Sequence, residues 1–116
     1  MDAKRERRRK FCFALDLIND PERIKTYVEY HKKVWPEILD SLKEAGVVQA
    51  EIYQVSNRLF LILEGDESFS LERKAALDAG NMKVKEWEKL MWNYQQALPN
   101  TPEGTKWVLM DKIFEL

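Results

Sequence analysis

Only Ser56 and Asn57 separate two strand-like runs, residues 47–55 and 58–64. A two-residue link joins neighbouring antiparallel strands and nothing else, so the middle of the chain is committed to a β-hairpin. The second run contains Leu59–Phe60–Leu61–Ile62–Leu63, apolar at every position, as a central strand covered on both faces would be. Upstream, Phe11, Phe13, Leu15 and Leu17 alternate with Cys12, Ala14 and Asp16, which predicts a first strand over 11–17.

Between that strand and the hairpin, Asn19–Asp20–Pro21–Glu22 reads as a helix start. It offers a capping side chain, a proline in the first turn and an acid at the positive helix end. The helix carries Ile24, Tyr27/Val28, His31, Trp35, Ile38/Leu39 and Leu42 on one stripe and stops at Gly46. Pro36 interrupts it, because proline lacks an N–H and crowds the preceding turn, so a kink or break is expected close to Trp35. After the hairpin, Gly65 to Ser70 reads as a loop, with Ser68 capping a helix through Ala76. Asn81 caps a further helix bearing Val84, Trp87, Leu90/Met91, Tyr94 and Leu98. Pro99 to Gly104 is rich in turn residues, and a last strand is expected over 107–114.

The order strand, helix, strand, strand, helix, strand is the α+β, ferredoxin-like split βαβ plan, a four-stranded antiparallel sheet with its helices on one face. The strands carry large apolar residues on both faces, so the face away from the helices should be covered. A second copy of the chain does this most simply, giving a homodimer of the dimeric α/β-barrel type.

Composition narrows the function. The first ten residues hold six basic and two acidic side chains, a net +4; with the whole chain at −1, the remainder carries −5. A body of that sign has no reason to seek nucleic acid, whose binding rests on many Lys/Arg–phosphate contacts. Residues 1–10 read as a basic, solvated extension and residues 11–116 as one domain. No apolar segment follows the charges as in a signal peptide, and no run reaches transmembrane length. The lone Cys12 excludes an internal disulfide, which fits a cytoplasmic protein.

His31 is the only histidine, and it stands among Tyr27, Tyr30, Trp35, Pro36 and Glu37. Imidazole can give and take protons near neutral pH, and aromatic neighbours offer flat walls and hydroxyls, a combination suited to proton transfer on a small polyhydroxylated ring. The same stripe equally suits plain helix packing. Trp35 and Trp87 fall on apolar stripes where packing is the simpler role, and Tyr27 and Tyr53 have hydroxyls that could serve structure or substrate.

The stretch Tyr27–Val28–Glu29–Tyr30–His31–Lys32–Lys33–Val34–Trp35–Pro36–Glu37–Ile38 resembles the L-rhamnose mutarotase family, and Glu51–Ile52–Tyr53 and Val84–Lys85–Glu86–Trp87–Glu88 continue the likeness over residues 11 to 116. The resemblance implies a ferredoxin-like homodimer that interconverts the α and β anomers of L-rhamnose without a cofactor or metal. It implies His31 as the acid/base and Tyr27, Tyr53 and Trp87 as lining the sugar pocket; the chemistry of ring opening then casts His31 as donor toward the ring oxygen and the two tyrosines as groups that orient hydroxyls or relay through water. Where the family's best-known bacterial form has a second tryptophan, this chain has Glu88, a change that bears on sugar preference and makes L-fucose the competing substrate. A catalytically silent sugar-binding dimer and a small monooxygenase or haem-handling dimer are the other readings such a chain allows.

Overall fold

The computed structural model describes residues 8–116. Most of the basic extension expected over residues 1–10 thus lies outside the described residues, while Arg9 and Lys10 already belong to the first strand. In order, the elements are β1 (Arg9–Leu17), α1 (Pro21–Tyr30), α2 (Pro36–Glu44), β2 (Val47–Val55), β3 (Arg58–Gly65), α3 (Leu71–Ala79), α4 (Met82–Trp92), β4 (Gln95–Gln96) and β5 (Val108–Leu109). The sheet runs β2-β3-β1-β4, all antiparallel, with β5 also on β1. This is the ferredoxin-like order. No helix among the described residues is long and apolar enough to cross a membrane.

The hairpin forms as its two-residue link requires, with Ser56 at φ 55° and Val55 opposite Arg58. Its tip is tied to the end of β1: Leu17 N–H donates to the Asn57 carbonyl at 2.6 Å, and Asn57 Nδ2 donates to the Leu17 carbonyl at 3.1 Å.

Pro36 does more than kink a helix. The stripe read as one helix over 21–45 is two, with residues 31–35 between them. Trp35 is extended (φ −56°, ψ 137°), as a residue before proline prefers, and Pro36 opens α2, where its missing N–H has no helical partner to lose. In α1, Asp20 caps as expected, accepting from Arg23 N–H at 3.3 Å.

Further boundaries differ from the sequence expectation. Ser70, not Ser68, caps α3, accepting from Arg73 N–H at 2.9 Å, and the helix continues to Ala79. Ser68 is occupied by Asp66, whose Oδ1 accepts from its N–H at 2.8 Å and from its hydroxyl at 2.6 Å. The last helix ends at Trp92 rather than continuing to Leu98. Its apolar spacing is outcompeted by the open edge of β1: Ile18 N–H donates to Tyr94 O at 2.8 Å, and Gln95 and Gln96 pair with Leu17 and Asp16. The final strand expected over 107–114 pairs only at Val108 and Leu109, opposite Ala14 and Phe13, with one further bond from Met110 N–H to Cys12 O. Alternation marks a segment as able to be a strand but supplies no partner, and Ile113, Phe114 and Leu116 are left exposed.

The helices cover one face of the sheet, where Leu15, Leu17, Leu59 and Phe69 are almost wholly buried. Two apolar clusters share that layer. One gathers around Leu17, Tyr27, Trp87 and Met91, the other around Phe13, Leu63 and Phe69, and Trp107 packs against both.

Candidate active site

Between the helices and the sheet lies a cavity of about 620 Å³ whose lining includes Tyr27, His31, Trp87, Glu88, Gln95 and Lys106. Most of its remaining wall is hydrocarbon from both layers, with the Lys74–Asp78 ion pair (2.6 Å) also facing it.

His31 owes its position to the way α1 ends. The last turn tightens: the backbone N–H groups of His31, Lys32 and Lys33 reach back three residues, to Val28, Glu29 and Tyr30. With the His31 amide turned to Val28, the Tyr27 carbonyl meets the imidazole instead, at 2.9 Å from Nδ1. A carbonyl only accepts, so Nδ1 carries the proton and Nε2 of the neutral ring keeps its lone pair. Burial holds the His31 pKa below its usual 6.5, partly opposed by that same backbone hydrogen bond. The ring is therefore neutral at pH 7 and equipped as a base.

The Tyr27 and His31 rings lie 4.4 Å apart between centroids, and Trp87 meets His31 edge-on at 5.7 Å. Trp87 is also packed edge-on by Trp35 at 5.1 Å and by Tyr30 at 6.3 Å. The helix break thus turns Trp35 onto Trp87 as a buttress; Trp35 does not line the cavity. The Tyr27 hydroxyl accepts from Gln95 Nε2 at 3.3 Å. Burial pushes its pKa up to about 12, with the Gln95 bond acting in the opposite direction. Among the described residues, no three His, Cys, Asp or Glu side chains gather as a metal site would need.

Of the four residues singled out from sequence, His31, Tyr27 and Trp87 come together and Tyr53 does not. Tyr53 is 54% exposed, on the sheet face opposite the cavity. The cause is a bulge in β2. Val47 pairs with Gly65 and points to the core, but the register then slips, so that Gln49 opposes Glu64. One extra residue reverses the alternation, which brings Ala50 and Ile52 to the cavity and turns Glu51 and Tyr53 outward. Gln95, Lys106 and Trp107 were missed as lining residues. Gln95 was hidden inside an overextended helix, and nothing local distinguishes a lysine at a cavity from one in water.

A family model described as L-rhamnose mutarotase matches residues 10–116. The chain belongs to the L-rhamnose mutarotase family. Mutarotases interconvert anomers, so this member is an isomerase of the aldose 1-epimerase type. Within the L-rhamnose mutarotase family, the chain is 38% identical over 109 residues to an L-fucose mutarotase of Xanthomonas campestris, covering 92% of this chain and 87% of that protein. It is 28% identical over 95 residues to an L-rhamnose mutarotase of Paraburkholderia phytofirmans, covering 79% and 81%. The crystal structure of an L-rhamnose mutarotase from Formosa agariphila superposes with a TM-score of 0.68 over 93% of this chain and 98% of that one; at 24% identity this likeness speaks for the fold.

Proposed function

We propose that the cavity binds a 6-deoxy-L-hexose, L-rhamnose or L-fucose, and interconverts its anomers with His31 as base and Tyr27 as acid. The observation that carries this reading is the neutral imidazole, tautomer set by the Tyr27 carbonyl, facing a cavity walled by Trp87. Nε2 of His31 takes the proton of the anomeric hydroxyl. The C1–O5 bond breaks, its electron pair goes to O5, and O5 takes the Tyr27 phenolic proton. The aldehyde turns about C1–C2. Ring closure on the other face returns a proton from O5 to Tyr27, while imidazolium protonates the carbonyl oxygen. Both groups end as they began. O1 and O5 flank a single carbon, so two acid/base groups on adjacent helical turns suit them. His31 enters here as a base at O1, in place of the donor role toward the ring oxygen expected from sequence, because its Nδ1 proton is already committed. Trp87 supplies a flat wall for the C–H face and methyl group of the sugar.

Saturation-transfer NMR tests the assignment. Irradiating one anomer signal of L-rhamnose or L-fucose should attenuate the other faster with protein than in buffer, with a common hexose responding less. Exchange at the buffer rate for all three sugars would refute it. Tyr27→Phe is expected to slow the exchange, whereas Tyr53→Phe should leave kcat/KM unchanged, because the Tyr53 hydroxyl lies across the sheet from the cavity.

The uncovered sheet face supports a homodimer. It presents Cys12, Ala14, Tyr53, Phe60, Ile62 and Met110, apolar side chains of a kind water disfavours in one contiguous patch. We expect a dimer by sedimentation and conversion to monomer on Ile62→Asp, since Glu51 stands opposite residue 62 on the same face and a second carboxylate buried beside it at an interface is strongly unfavourable. A monomeric wild-type protein would refute this arrangement. We take residues 11–116 as one domain and place the protein in the cytoplasm, in keeping with the free Cys12 thiol, without nucleic-acid or membrane partners.

A further inference from the structure

Among the described residues, Asp16 and Gln95 are the buried ones with charged or amide side chains. Asp16 is matched by Arg58, whose Nε and Nη2 reach its two carboxylate oxygens at 2.8 and 3.2 Å. Gln95 has no such charge to answer. It is 8% exposed, it lines the cavity, and its Nε2 donates to the Tyr27 hydroxyl. Burying an amide is unfavourable unless its hydrogen bonds are made, and leucine would fill similar space without that demand. Its backbone is held firmly: Gln95 pairs with the fully buried Leu17, and the preceding Tyr94 carbonyl accepts from Ile18. The amide therefore rides on the sheet edge and not on the loop that follows.

We propose that Gln95 is a positioning residue that aims the Tyr27 hydroxyl proton into the cavity. A phenol has one proton and oxygen lone pairs, while the amide nitrogen offers hydrogens and no lone pair. Once Nε2–H occupies a phenolic lone pair, the phenolic proton must point away from Gln95, toward the space both residues line. Tyr27 is then presented to the sugar as a donor, the role its transfer to O5 requires. Gln95 itself exchanges no proton with substrate. This inference rests on the mutarotase reading of the site and adds to it the group that sets the direction of one hydrogen bond.

The test is a double-mutant cycle on anomer exchange, with thermal melts to confirm folding. Gln95→Leu should lower kcat roughly three- to tenfold with little change in KM, the effect of one misdirected hydrogen bond. In a Tyr27→Phe background the same substitution should have no further effect. Gln95→Glu keeps the shape but replaces the donor by a carboxylate acceptor, which draws the phenolic proton back, so at neutral pH its loss should equal or exceed that of Gln95→Leu. It also serves should the leucine variant not fold. An equal loss from Gln95→Leu with and without the Tyr27 hydroxyl, or wild-type activity in Gln95→Glu, would overturn the proposal while leaving the mutarotase reading intact. Wild-type protein that fails to accelerate exchange would instead remove that reading itself.

Discussion

His31→Ala is expected to reduce enzyme-catalysed anomer exchange by about 10²–10⁴-fold, the range that a positioned acid/base contributes. The fold should survive, because the imidazole sits at the end of α1, where one hydrogen bond to the Tyr27 carbonyl and the ring contacts with Tyr27 and Trp87 are lost. The hydrogen bond is worth roughly 1 kcal/mol, the ring contacts add to that, and the dimer should be unaffected. The pH profile provides a second readout. Catalysis needs the neutral ring, and burial keeps the His31 pKa below 6.5. Activity should therefore hold steady down through neutrality and fall only as the pH drops below 6.5. Stability follows the same sign. The folded state binds this proton less readily than the unfolded chain, so His31 contributes stability above pH 6.5 that is lost as the pH falls toward its folded pKa. A variant exchanging anomers at near the wild-type rate, measured by saturation transfer, would remove His31 from the mechanism.

Trp87→Ala should damage stability and activity together. The indole is 8% exposed and touches Tyr30, His31 and Trp35 edge-on. Truncating a buried tryptophan typically removes about 3–5 kcal/mol through lost burial and the hole left behind. For a domain of this size that lowers Tm by more than about 10 °C. The cavity would also lose its wall and His31 its neighbour, so residual folded protein should bind sugar poorly. Trp87→Phe separates the two contributions: a smaller ring still fills much of the core, so most of the stability should return while sugar affinity recovers only in part. Differential scanning calorimetry beside the NMR exchange assay measures both. If Trp87→Ala melts like the wild type, the indole does not anchor this layer.

Much of this was legible in the chain before any coordinates. Ser56 and Asn57 demanded a hairpin because no longer excursion fits between the flanking strands. The alternation of Phe11 to Leu17 demanded a strand, and Pro36 demanded an interruption. His31 and Tyr27 were findable because helical spacing is local: residues four apart meet whatever the rest of the protein does. Trp87 could be identified only by likeness to a family, since an aromatic on an apolar stripe looks the same whether it packs against leucine or against sugar.

Tyr53 and Gln95 mark where that reading stops. Counting by twos from Val47 sends Tyr53 to the core, and only the pairing of β2 with β3 reveals the extra residue that turns it outward. Helical spacing carries Tyr94 to Leu98 onward from Trp92, yet the vacant edge of β1 captures Gln95 as strand and places its amide against Tyr27. Sequence by itself determined the first strand, the hairpin, the interruption at Pro36 and the helical spacing that brings Tyr27 to His31, because each depends on residues a few positions apart. Only the tertiary structure decided register, edge pairing and the partner of a buried hydroxyl, because these are settled by competition among backbone groups far apart along the chain.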